Sequence, residues 1–255
     1  MRRRGSFKPL AAALLSLALL LGTALAARAA MPEVKVSPEL VEIGAFFQGA
    51  EITVSGEIPP GAEAVVEVLG PEATEHLMRK GRRGGLWMNV GEVEVRTAPS
   101  LYLARATDPR LLSHQAPEAR FGFAALKRRL AAAGGTATPA ELDEFLKLKE
   151  SEDLYRILPQ PLEAAAAGGS RLVKAAFRLP TQVKPGTYRV CLSVLEAGRV
   201  SGRKCAGLKV AMVGFPALSA ALAYEHGVLY GILAVIIAMV TGLVMGYLFR
   251  GGGGH

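Results

Sequence analysis

Residues 173–194 read VKAAFRLPTQVKPGTYRVCLSV, and this stretch decides the fold. Apolar side chains alternate first with Lys174 and Arg178 and then, after the turn signal Pro185-Gly186, with polar residues such as Arg189. A period of two places successive side chains on opposite faces of a β-strand. The stretch therefore predicts two strands, each with one buried face and one solvated face.

Five further segments show the same alternation, and Pro and Gly turn signals separate them. Many short strands with one polar face and regular turns are typical of a β-sandwich. We therefore expect a mostly β protein, an immunoglobulin-like antiparallel β-sandwich that occupies residues 30–213. The further segments are 34–36, 52–58, 64–68, 87–95 and 208–212.

Residues 107–168 have a different pattern and predict a two-helix insertion between strands of the sandwich. Apolar residues recur at helical spacing over 118–133, and two glycines follow them. A second helix is expected from Thr138 to about Tyr155. Thr138 is a good N-cap residue, and Glu141 three positions later completes a capping box.

The N-terminal segment, residues 1–29, has the three parts of a secretory signal peptide: a basic start, an apolar run and small residues before a cleavage point. The alternative is an uncleaved first membrane helix. Cleavage would lower the formal net charge from +8 to +3, which weakens a nucleic-acid-binding function. The five basic residues removed are Arg2, Arg3, Arg4, Lys8 and Arg28.

A second apolar segment, residues 227–249, contains 23 residues and no charge. At about 1.5 Å per residue this helix would be about 34 Å long, enough to span a bilayer. We interpret 214–226 as a juxtamembrane segment that forms the outer part of the membrane helix, and 250–255 as a short cytoplasmic tail. The predicted location is a bacterial inner membrane, with one span and most of the chain in the periplasm.

Small residues recur every three or four positions along the predicted span. Small residues let helix backbones approach closely in lipid, so this stripe predicts a packing seam for a membrane-protein partner or a second copy. The alternative is chance, because Gly and Ala are common in membrane spans. The stripe consists of Gly227, Gly231, Ala234, Ala238, Gly242 and Gly246.

The two cysteines, Cys191 and Cys205, lie on the last two predicted strands, 14 residues apart. A hairpin centred on Gly198 places them opposite each other, close enough for a disulfide. A turn one residue earlier makes the pair diagonal and the bond harder to form. We predict a disulfide, and two free thiols are the alternative.

The densest basic run consists of Arg79, Lys80, Arg82 and Arg83, and Trp87 follows it closely. Four cations among glycines could bind an anion, lipid head groups or a partner. The simpler interpretation, which we favour, is a solvated hairpin turn that leads into a strand whose Trp87 belongs to the core. Nucleic acid is not an expected partner, because the run is predicted to lie outside the cell.

No pattern in the chain predicts catalytic, cofactor-binding or metal-ligating residues. The four histidines have no metal-ligand spacing, and the chain contains no P-loop, dinucleotide fingerprint or nucleophile elbow. Hydrophobic residues at 51% and charged residues at 20% exclude a disordered chain. These observations favour a protein without enzymatic activity.

Several short motifs follow one another along the chain at 46–51, 79–81, 86–89, 99–102, 179–180, 185–188, 213–215 and 229–231. Their order resembles a transmembrane protein family first described from alphaproteobacteria, and the resemblance covers roughly 33–249. It implies a signal peptide, a β-rich outer part and one C-terminal span. It also implies a transport partner, because members are often encoded near a sulfite-exporter-type permease. The resemblance implies no activity, and the cysteine pair is not part of it.

Three functions remain open at this point. We expect a membrane-anchored accessory protein that positions or assists a membrane partner, and the family resemblance implies a sulfite-exporter-type permease as that partner. The second function is a stand-alone periplasmic binding or sensing module whose span is only an anchor. The third, less favoured, is a hydrolase or redox enzyme whose site is built from loops.

Overall fold

The structure, a computed structural model, describes residues 33–113, 120–167 and 169–249. The signal peptide predicted over 1–29 and the tail predicted over 250–255 lie outside these residues. The described residues contain twelve strands: β1 (Val34–Ser37), β2 (Leu40–Ile43), β3 (Ala50–Ile58), β4 (Glu63–Leu69), β5 (Glu72–Arg83), β6 (Leu86–Pro99), β7 (Tyr102–Ala106), β8 (Tyr155–Ile157), β9 (Glu163–Ala167), β10 (Ser170–Leu179), β11 (Gly186–Glu196) and β12 (Arg199–Met212).

Two sheets enclose the core. The first has the order β1-β3-β10-β9 and the second has the order β2-β12-β11-β4-β7-β8. Alternate side chains of β3 and β10, such as Ile52 and Phe177, are buried with Val66 and Val190 of the second sheet in one apolar cluster. The prediction of a mostly β chain with a C-terminal apolar helix is therefore confirmed, and its immunoglobulin-like arrangement stays a prediction.

The sheets differ from the expected antiparallel pattern in two places. β2 pairs with β12 in parallel, and β8 pairs with β7 in parallel. The predicted insertion also supplies strands as well as helices, because β8 extends the second sheet and β9 extends the first. Residues 164–170, which resemble a small-residue linker in sequence, mostly belong to β9 and the turn into β10.

The insertion contains two helices, α1 (Gly122–Ala132) and α2 (Pro139–Ser151). Thr138 caps α2, and the reciprocal hydrogen bonds with Glu141 form the predicted capping box. α2 ends before Tyr155, because Asp153 adopts a φ of 59° and Tyr155 enters β8.

The first helix begins later than residue 118, and Gly122 explains why. Its φ of 78° is left-handed, and its N–H donates to the hydroxyl of Tyr102 at 3.0 Å. A Cβ at this position would lie 2.8 Å from the carbonyl oxygen of Leu112. The chain therefore turns sharply before α1 and cannot continue the helix backwards.

Tyr188 links the start of β11 to the preceding loop. Its ring is buried, and its hydroxyl donates to the carbonyl oxygen of Lys184 at 2.8 Å. This contact matches the tyrosine corner of β-sandwich proteins, in which the hydroxyl bonds to backbone a few residues upstream. Burial raises the pKa of the Tyr188 hydroxyl, so the group stays a neutral donor.

The chain ends in two apolar helices, α3 (Phe215–Glu225) and α4 (Gly227–Phe249). The helices are separate, because His226 between them has non-helical dihedrals. Residues 214–226 are therefore not the outer turns of one continuous membrane helix. Among the described residues, α4 is the one helix long and apolar enough to be a candidate span.

We predict that Phe177→Ala destabilises the β domain by about 3–5 kcal/mol, because it leaves a cavity between the two sheets. The matched control is Phe46→Ala, since Phe46 is 94% exposed and should change stability little. Denaturant unfolding of the full chain in mild detergent measures both variants. Equal stabilities for the two variants would contradict the packing of Phe177 at the centre of the core.

Candidate functional site

A two-stranded hairpin of β5 and β6, residues 72–99, is called the arm and forms a sheet of its own. It continues the β4–β7 pair beyond the second sheet. The N–H of Gly70 donates to the carbonyl oxygen of Leu101 at 2.9 Å, and the N–H of Ser100 donates to that of Pro71 at 2.8 Å. Backbone pairing is therefore nearly unbroken from the sheet into the arm.

The arm leaves the sheet at the end from which the chain runs to α3 and α4. Leu69 at the end of β4 pairs with Arg189, near the start of β11, and Arg189 forms an ion pair with Glu72 at the arm's root. Gly186 at the start of β11 pairs with Val210, two residues before β12 ends. The arm and the chain to α3 and α4 therefore start from the same end of the second sheet.

Helix α2 supports the lower half of the arm. Leu77 and Val93 line a cleft with Phe145 of α2, and Val93 is buried. Below them the ammonium of Lys149, also on α2, lies 3.6 Å from the carboxylate of Glu75. Apolar packing and an ion pair thus hold the root of the arm against the insertion.

The support ends at an ion pair between Arg79 and Glu141, whose Nε and Oε1 atoms lie 2.6 Å apart. The hydrogen bond from Arg79, helped by those from Thr138, lowers the pKa of Glu141 from 4.5 to about 2. Glu141 also lies in the first turn of α2, where a negative charge is favourable. Beyond Arg79 the hairpin continues as the arm tip, residues 80–90.

The arm tip exposes large apolar side chains beside its cations. Trp87 is 74% exposed and Leu86 is 68% exposed, so the interpretation of Trp87 as a core residue is wrong. The reason is structural: the tip is a lone pair of strands, and within the part of the chain that the structure describes no second layer covers either face. Gly84 and Gly85 form its two-residue turn with φ values of 56° and 86°, which favour glycine.

Each face of the tip combines a cation with an apolar side chain. Arg82 pairs across the strands with Trp87, and Arg83 pairs with Leu86 on the opposite face. Within the described residues, no carboxylate lies within ion-pair distance of Lys80, Arg82 or Arg83. Of the four predicted basic residues, Arg79 is therefore the structural one, and the other three face solvent.

Cys191 and Cys205 are direct cross-strand partners in β11 and β12, and their sulfur atoms are bonded. The turn consists of Ala197 and Gly198, which alone would set Cys191 opposite Lys204. An extra residue in β12, Ser201, forms a bulge that shifts the register by one and aligns the cysteines. Cys191 is buried, although it shares one face of β11 with Arg189 and Ser193, and these polar neighbours predict a solvated face.

A buried carboxylate on β4 escaped the sequence analysis. Glu67 is 7% exposed, accepts a hydrogen bond from the hydroxyl of Tyr102 at 2.8 Å, and pairs with Arg203 at 3.1 Å. Burial, and then the Glu67 charge, raise the pKa of Tyr102 well above 10. The available signal was that Val65 and Leu69, on the same face as Glu67, are apolar, which indicates that this face is covered.

The small-residue stripe lies on α4, and only part of it lines a groove shared with α3. Ala234, Ala238 and Gly242 line this groove, of about 790 Å³, with Leu218 and Leu222 of α3. Gly227, Gly231 and Gly246 are not among the residues that line it. A Cβ added at any of the four glycines of the stripe would meet no neighbouring atom within 4 Å.

These features define a membrane protein with a β domain and one candidate C-terminal span. Residues 33–251 match the family described as "Putative transmembrane protein (Alph_Pro_TM)", and the chain belongs to this family. The match confirms the resemblance inferred from the motifs. No curated protein was found to match the chain.

We predict that denatured but unreduced full-length protein, purified from its native compartment, will show no reactive thiol, and that reduction will expose two. The bond closes a loop of 14 residues, so its loss should lower the free energy of unfolding by about 3 kcal/mol. Mass spectrometry after alkylation counts the thiols. Complete labelling without reductant would rule out the bond.

We predict that Arg79→Gln loosens the arm at neutral pH and has little effect near pH 2. The pKa of Glu141 is lowered, so its ion pair acts fully above about pH 4.5 and is lost as the pH falls toward about 2. Amide exchange protection in 72–79 should fall about two- to fivefold at pH 7.

The matched control is Arg83→Gln, because Arg83 has no ion pair within the described residues. It should leave the protection of 72–79 unchanged at both pH values. An equal effect of Arg79→Gln at pH 7 and pH 2 would contradict the role of the Glu141 carboxylate.

Proposed function

We propose that this protein is a membrane-anchored accessory protein, without enzymatic activity, that holds its β domain beside a partner membrane protein. One observation carries the proposal: the small-residue stripe of α4 is not used for packing inside the described chain. An added Cβ at Gly231 or Gly242 would meet no neighbouring atom, so the backbone there is open to a helix from outside.

Lipid gives this stripe its importance. Two helices in a bilayer gain no hydrophobic energy by associating, and close van der Waals contact between backbones has to stabilise the pair. Large side chains cover the rest of α4, including Ile236, Val240 and Leu243 on the side opposite the stripe. A partner helix that enters the groove beside Ala238 and Gly242 would contact both α4 and the apolar face of α3.

Export of the β domain is part of the proposal. The basic and apolar segment 1–29 supports cleavage by a signal peptidase, which would place the β domain in the periplasm and the tail after α4 in the cytoplasm. The Cys191–Cys205 bond supports the same compartment, because structural disulfides persist in oxidising environments. The membrane would be the bacterial inner membrane.

The proposed partner is a polytopic membrane protein with a helix that matches the stripe. A sulfite-exporter-type permease is the candidate that the family resemblance implies, and a second copy of this chain is the other. A rigid β domain beside a transporter could position a substrate or brace the transporter. A stand-alone binding or sensing module would need the span only as an anchor.

We predict that Ala238→Leu with Gly242→Leu abolishes recovery of the partner from mild detergent. The change keeps α4 apolar, so membrane insertion should persist, but the added side chains fill the groove and separate the helices. The matched control is Ile236→Phe with Val240→Leu, which enlarges the side of the same helix opposite the stripe. Affinity purification with quantitative mass spectrometry, together with crosslinking of copies, measures the result.

Exchange of the whole span provides the second test. Replacing 227–249 by an unrelated apolar helix should retain the anchor and lose the partner and the cellular function. Full function with the foreign span would favour the stand-alone module. Loss of the partner in both double variants would show that the seam is wrongly placed.

A further inference from the structure

We propose that the arm tip docks on the headgroup region of an anionic phospholipid bilayer, the same membrane that α4 is proposed to span. The tip presents three cations, Lys80, Arg82 and Arg83, that form no ion pair with any other described residue, and the exposed side chains of Leu86 and Trp87. The inference needs the membrane anchor but no protein partner, so it stands apart from the accessory role.

The charge of the tip fits a negative surface. From residue 79 to residue 91 the chain has four basic residues and no acidic one. Glu141 neutralises Arg79, which leaves a local charge of three within a two-stranded hairpin. Cations held near an anionic leaflet each strengthen binding about fivefold, and the attraction fades within a Debye length.

The apolar side chains fit the depth at which such cations would lie. Trp prefers the membrane interface, where its ring is apolar and its N–H reaches polar groups. Leu86 and Met88 lie next to Trp87 and point to the other face of the hairpin, so both faces can enter the headgroup layer. In water these side chains stay largely exposed, whereas at a bilayer surface they would be buried.

The geometry of the arm allows the contact. The arm and the chain to α3 start from the same end of the second sheet, as the pairs Leu69–Arg189 and Gly186–Val210 establish. Twelve residues of β5 extend over about 36 Å at about 3.3 Å per residue. The 11 residues of α3 extend over only about 16 Å, so the tip can reach the level where α4 begins.

Ion pairs to neighbouring elements also fix the direction of the arm relative to the β domain. Glu75 at its root contacts both Lys149 of α2 and Lys184, at 3.6 Å and 3.5 Å. Arg79 fixes the middle of the arm to the start of α2. The hairpin is therefore held by ion pairs up to Arg79 and is exposed beyond it. This arrangement would place the cations of the tip and Trp87 at a defined height above the bilayer.

Trp87 is the only tryptophan in the chain, so its fluorescence reports on the tip alone. The full-length protein is reconstituted into lipid nanodiscs of phosphatidylcholine, with or without phosphatidylglycerol, and with bromine atoms high on the acyl chains. We expect blue-shifted emission and quenching by bromine in discs with phosphatidylglycerol. Discs of phosphatidylcholine alone should leave Trp87 open to acrylamide, and high salt should reverse the docking.

Two triple variants with equal charge loss separate a local effect from a general one. Lys80→Gln with Arg82→Gln and Arg83→Gln should lower the docked-to-free ratio about 100-fold, since each cation contributes about fivefold. The control, Lys174→Gln with Arg178→Gln and Lys204→Gln, removes three exposed cations from the two sheets and should leave the quenching unchanged. Unfolding transitions of both variants report whether the β domain is intact.

The proposal is overturned if Trp87 is equally exposed in both kinds of disc, or if the two triple variants behave alike. Protection of Trp87 only after addition of a membrane protein extract would identify a protein contact and also overturn it. Nanodiscs of pure lipid loaded with one copy of the protein contain neither a permease nor a second copy, so failure of the accessory role would leave this result unaffected.

Discussion

The ladder between β4 and β11 is the contact on which the rest of the β domain depends. It runs from the pair Leu69–Arg189 to the pair Glu63–Leu195, and β11 also pairs with β12 on its other side. This register places Cys191 between Glu67 and Cys205. It also brings the end of β4, and therefore the root of the arm, to the end of the sheet from which the chain continues to α3 and the candidate span α4.

The β4–β11 ladder is buried on both faces, and this burial restricts which polar groups it can contain. The inner face contacts the first sheet, and the insertion covers part of the outer face, where Tyr102 contacts Phe123 at a ring distance of 6.1 Å. A carboxylate in such a place is costly unless hydrogen bonds and a cation satisfy it. Tyr102 and Arg203 do so for Glu67, and the same hydroxyl accepts the N–H of Gly122. One polar network therefore ties the helices to the sheet.

The sequence predicts the parts of this protein that depend on local periodicity. The alternation of apolar and polar residues predicts the core strands, and the Thr138 capping box predicts the start of α2. A run of 23 residues without a charge predicts the candidate span. Contacts between distant segments are not visible in this way. Strands β8 and β9 are only three and five residues long. The sequence predicts a helix up to Tyr155 because Tyr155 continues the apolar pattern of α2, but this residue belongs to β8.

The candidate site divides in the same way. The basic run and the glycine turn can be read directly from the sequence, but whether Trp87 is covered depends on how many layers surround the hairpin. Alternation along β6 is the same for a two-stranded arm as for a strand inside a sandwich. The break between α3 and α4 lies at His226, which is neither Pro nor Gly, although Gly227 follows it. The apolar character of both segments therefore predicts one continuous helix where the structure has two.

The edges of the sheets have a consequence for how the molecule meets its neighbours. Both sheets end in short strands of three to five residues: β1 and β9 in one, β2 and β8 in the other. Short edges offer few free backbone groups to a strand of another molecule, which protects the protein from aggregation. The arm, with 12 and 14 residues in its strands, is the long exception. The arm tips of two copies have the same positive charge and repel each other. This repulsion keeps the free edges of one arm from pairing with those of another.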